Sequence, residues 1–230
     1  MKADTFAKLV ILETLVDAET GYFLEHHPPA AERFREGLVS RVSDLVDEID
    51  ALDAVAAARV YDAVVDFLAE LPDDDDGVVE AALRFKRALD RLADRGMDAR
   101  DLAAGPTWAT VLDELLDALA DEYHAAVRAT GEVRPREYTR ARLLLHRVRD
   151  AATRMVQGEP PARRAEVRDA VDRLAFAVEA RRPRPAAVDH LIRTPQRLAR
   201  RYRPSTFTRI GGFVISQLLR RRDTGEAGTP

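Results

Sequence analysis

Apolar residues recur every three or four positions along most of this chain, and proline or glycine cuts the pattern into segments. That spacing lays one apolar stripe along a helix, whereas a half-buried strand needs strict alternation. The clearest case is Phe34, Leu38, Val42, Leu45, Ile49 and Leu52. No stretch shows sustained alternation flanked by hairpin turns, and no repeat period stands out. The pattern predicts an all-α protein, more than about 60% helix, without a sheet of three or more strands.

Proline lacks the amide hydrogen a helix interior needs and suits a first helical turn, so its positions mark the ends. A first helix is predicted from Asp4 to His26, with Phe6, Leu9, Val10, Leu12, Val16 and Phe23 inward, before Pro28 and Pro29. The second carries the Phe34–Leu52 stripe, and Asp53 caps a third with Val60, Val64, Phe67 and Leu68. Pro72, the run Asp73–Asp76 and Gly77 read as a loop. A fourth helix spans Val79 to Asp94, with Gly96 as a left-handed C-terminal residue. Pro106 opens a fifth, with Trp108, Leu112, Leu115, Leu119 and Tyr123 on one face, and Gly131 closes it. A sixth runs from Pro135 to Gln157 with Leu144, Leu145, Val148, Ala152 and Met155 inward. A seventh runs from Pro161 to Arg182 with Val167, Val171, Leu174 and Val178.

The expected architecture is an antiparallel helical bundle or array of about seven long helices, residues 1–182, with a subdivision near Gly131 as an option. A small, basic, helical C-terminal module follows over residues 183–222, and residues 223–230 read as a flexible tail. No apolar run approaches the roughly 20 residues that span a bilayer. The N-terminal apolar stretch is interrupted by acids and lacks a cleavage signature, so it reads as a helix and not a signal peptide. The chain has no cysteine, which removes disulfides, thiolate nucleophiles and Cys-based zinc sites and suits a cytoplasmic setting.

Charge is distributed unevenly. Residues 1–128 carry a net −16 and residues 129–230 a net +12, and all but three of the 36 basic residues are arginine. Such an asymmetry calls for internal pairing or a partner. Either the acidic half packs against the basic half, within one chain or between copies, or the basic half meets nucleic acid or another anionic surface.

Catalytic material is sparse. Asp113, Asp117, Asp121 and His124 fall on one strip of the fifth predicted helix at steps of four, four and three. They resemble half of a carboxylate–histidine metal site, but a second matching element is missing, and a solvated acidic face is the simpler reading. No phosphate loop, nucleophile elbow or paired-histidine zinc motif occurs. The chain therefore reads as a non-enzyme without cofactor or metal.

Within the C-terminal module, Ala186–Ile192 suits a short helix, Thr194-Pro195 opens a second reaching Tyr202, and Ser205 caps a third to Arg221. Phe207, Ile210, Val214 and Leu218 form the stripe of the third. In its order of parts this segment resembles a helix-turn-helix. That resemblance implies base-facing Thr208, Arg209 and Gln217, with Arg200, Arg201 and Arg203 on phosphates and Arg220, Arg221 and Arg222 nearby. Arg203-Pro204 stands where such motifs place glycine and an apolar residue, and Gly211-Gly212 costs a helix roughly 1–2 kcal/mol. Phosphate contact is thus the firmer implication. Docking of this helix on protein, or on a membrane surface through Phe213 and Ile215, are the other readings. The functional expectation is an interaction protein, self-associating or bound to another protein, that touches nucleic acid through this module. Its alternative is a structural subunit, of a viral or other particle, whose acidic and basic halves meet head to tail.

Overall fold

The computed structural model describes residues 1–26, 31–69, 75–180 and 185–202. They form nine helices: α1 Ala3–His26, α2 Ala31–Leu52, α3 Ala54–Ala69, α4 Asp75–Gly96, α5 Ala99–Leu102, α6 Gly105–Ala126, α7 Pro135–Met155, α8 Pro161–Glu179 and α9 Pro185–Arg200. Helix accounts for 87% of the described structure, well past the sequence expectation. Among the described residues the only β pairing is one isolated bridge, Val127 with Val133. It sits in the turn between α6 and α7, where Gly131 takes a φ of 85° that disfavours any side chain.

Helices α6 and α7 pack along each other most extensively, and α1 lies across both. The stripes on α6, α7 and α8 predicted from spacing are buried as expected: Leu112, Leu115, Leu119 and Tyr123 on α6, Leu144, Leu145 and Val148 on α7, Val167, Val171 and Leu174 on α8. Trp108 packs edge-on against Phe6, ring centroids 5.8 Å apart, and its indole N–H donates to the Leu102 carbonyl at 2.6 Å. That bond satisfies a carbonyl at the end of α5, a helix too short for periodicity to reveal. On the other side α1 meets α2 and α4, while α3 packs on α2 and α4.

Three local expectations are corrected. Asp75, Asp76 and Gly77 belong to the first turn of α4 and not to a loop; acidic residues favour the positive end of a helix dipole. Gly96 ends α4 without a left-handed φ. Its missing side chain makes room for Met1, since a Cβ there would lie 2.8 Å from the Met1 Cβ. Thr194-Pro195 opens no new helix, because α9 runs through Pro195 unbroken. An interior proline costs about 3 kcal/mol. Val188, Ile192, Pro195 and Ala199 nevertheless form a buried stripe at steps of four, three and four, and its packing on α6 and α8 outweighs that cost.

The core also contains charge. Glu19 of α1 is 1% exposed and Arg140 of α7 is 6% exposed. The Glu19 carboxylate accepts from the Arg136 guanidinium at 2.7 Å and from Arg140, and Arg140 also reaches Glu122 of α6 at 3.6 Å. Further along the same seam Arg147 meets Glu13 at 3.2 Å and Asp17 at 3.6 Å, and Lys86 of α4 meets Asp17 at 2.9 Å. Part of the acidic half is therefore neutralised by the basic half within one chain. Burial lowers the Lys86 pKa, but hydrogen bonding and attraction from Asp17 and Glu13 outweigh it and hold the ammonium above its ordinary 10.5. A raised folded-state pKa adds stability that is complete below 10.5 and is lost as pH climbs through the raised value. Urea midpoints should fall above that pH, and more shallowly in Lys86→Met than in the parent. Equal steepness would show that this ammonium is not linked to folding.

Candidate anionic-partner interface

The arginines of this protein divide into those held by carboxylates and those that are not. On α7, Arg136, Arg140, Arg147 and Arg149 all meet acids, the last at Glu179 of α8, 3.2 Å away. Helix α9 presents the opposite case. Its inner stripe is fixed against α6 and α8, which leaves His190, Arg193, Arg197 and Arg200 exposed on the outer face at steps of three, four and three. Among the described residues none of Arg193, Arg197 and Arg200 lies within ion-pair distance of a carboxylate. Groups so spaced stand about 5–6 Å apart along the helix surface. Arg201 is exposed beside them and reaches Glu166 of α8 at 3.3 Å.

Polar bonds hold α9 in this orientation. The His124 imidazole and the Asp189 carboxylate share a hydrogen bond of 2.7 Å, and the Gln196 amide donates to Asp117 at 2.7 Å. Both anchors come from the acidic strip that the sequence offered as a half metal site. The structure splits that strip. Asp113 is buried, Asp117 and Asp121 face solvent, and His124 turns to α9. Among the described residues no three acidic or histidine side chains converge as metal ligands would.

Of the contact residues read from sequence, Arg200 and Arg201 are placed together at the end of α9, exposed. Arg203, Thr208, Arg209, Gln217, Arg220, Arg221 and Arg222 lie outside the described residues, as does the rest of the helix-turn-helix resemblance. Arg193 and Arg197 were missed by the sequence reading. The signal was the 190-193-197-200 spacing, hidden by the assumption that Pro195 starts a new helix. No helix among the described residues is long and apolar enough to cross a membrane. No protein-family model, curated protein or solved structure matches the chain.

Proposed function

We propose that this is a non-enzymatic helical interaction protein whose basic C-terminal segment contacts the phosphates of nucleic acid. The observation that carries it is the outward row Arg193, Arg197 and Arg200 on α9, without carboxylate partners among the described residues. Cations at that spacing on one face neutralise successive phosphates, whose counterions are then released. Such contacts fix position and orientation without reading bases. In this reading an antiparallel bundle through residue 182 is the scaffold, and residues 183–222, with Arg201, Arg203, Thr208, Arg209, Gln217 and Arg220–Arg222, extend the contact. Its setting is the cytoplasm.

Fluorescence anisotropy with a labelled random-sequence duplex, repeated across a salt series, tests the reading. Binding should weaken linearly on a log–log plot, by about 0.9 per phosphate contact. Arg193→Ala, Arg197→Ala and Arg200→Ala combined should flatten the slope by about two to three units and leave the circular dichroism unchanged. If neither duplex DNA nor single-stranded RNA binds at low salt, the reading fails.

A further inference from the structure

Large apolar side chains left in solvent concentrate on α3. Of the six such residues described, Val55, Tyr61 and Val65 belong to this one helix, with exposures of 64%, 58% and 45%. The inner stripe of α3, Ala57, Val60, Val64 and Phe67, is already spent on the core. Its outer face carries a second stripe, Val55, Ala58, Asp62, Val65 and Ala69, all exposed, at steps of three, four, three and four. Those are heptad steps, with the charged Asp62 at the centre and apolar residues on either side. Asp66 stands one turn from Asp62 on the same face. Among the described residues neither carboxylate meets a cation.

A complementary surface lies on a different part of the molecule. Between α7 and α8 runs a groove of about 350 Å³. Val156, Val167 and Val171 lie beneath it, and the aliphatic stems of Arg164 and Arg168 stand on its α8 side. These two arginines are exposed, one turn apart, and meet no carboxylate among the described residues. The lining runs over residues 149–157, at the end of α7 and just past it, and over 164–172 of α8, roughly 12 Å along α8. The Val55–Val65 stripe covers about 15 Å.

We infer that the α3 face of one copy docks in the α7/α8 groove of the next, Asp62 and Asp66 pairing with Arg164 and Arg168. Each pair is spaced one helical turn, so two ion pairs form in register. Val55, Ala58, Val65 and Ala69, on either side of Asp62, then cover the groove and the arginine stems. Helix α3 packs on α2 and α4, and α8 on α7 and α9, so the two surfaces are built from separate sets of helices. A contact between unlike surfaces is heterologous and propagates as a ring or a filament. Asp172 on the α8 side of the groove sets the register, since a shifted copy brings like charges together. The inference does not rest on the nucleic-acid reading, and its test contains no nucleic acid.

Light scattering over a concentration series of the full chain, at low salt, measures it. The parent should exceed the mass of one chain and gain mass with concentration. Asp62→Arg with Asp66→Arg, and separately Arg164→Asp with Arg168→Asp, should each weaken association at least about tenfold while circular dichroism stays unchanged. The four changes combined in one chain restore opposite charges across the contact and should restore assembly. A parent that stays a single chain throughout overturns the inference. So does association indifferent to either double reversal, or a fourfold variant that remains as weak as the doubles.

Discussion

Glu19→Ala is expected to destabilise the protein by about 3–5 kcal/mol, the largest single effect that any charged side chain here should produce. The cause is what the carboxylate leaves behind. Arg140 is nearly as buried as Glu19 and binds its Oε1, while Arg136 binds Oε2 of the same carboxylate. Without Glu19, Arg140 keeps a desolvated charge with the Glu122 carboxylate 3.6 Å away. The ion pair as a whole need not be a net gain over apolar packing, because taking charges out of water offsets most of their attraction. Glu19→Leu combined with Arg136→Met and Arg140→Met should therefore cost less than Glu19→Ala alone. Urea denaturation of the parent, the single variant and the triple variant measures both quantities. A loss below about 1 kcal/mol in the single variant would mean that water reaches the site and screens it as on a surface. What the network provides is register: Glu19 meets both arginines only when α1 and α7 pack at one particular offset.

Leu115→Ala should cost about 2–5 kcal/mol. Leu115 is fully buried at the middle of α6, the helix that packs on α1, α7 and α9. Truncation removes apolar burial and leaves a cavity that the surrounding packing fills only in part. Two residues away, Asp117 is exposed and accepts a hydrogen bond from Gln196. Asp117→Ala should cost no more than about 1 kcal/mol, the worth of a solvent-exposed hydrogen bond. Thermal or urea unfolding of both variants ranks them. The reverse order, with chelator reproducing the aspartate effect, would restore the metal reading of the α6 strip.

The periodicity of the sequence determined the helices and their inward faces, because the 3.6-residue repeat is a local property and every apolar stripe on α6, α7 and α8 must be buried somewhere. Proline and glycine determined most boundaries for the same local reason. Pairing was beyond its reach. Acids on α1 looked like interruptions of an apolar stretch until α7 supplied Arg136, Arg140 and Arg147 opposite them. Net charge by halves showed that partners were required but not which charges were already satisfied. Only the packed structure separates Arg136, Arg140 and Arg147 of α7, paired with acids of α1, from Arg193, Arg197 and Arg200 of α9, left on the surface. Helix α9 makes the point within sixteen residues. Local propensity stops a helix at Pro195, and the burial of Val188, Ile192, Pro195 and Ala199 carries it through, since tertiary packing contributes more free energy than one interior proline removes.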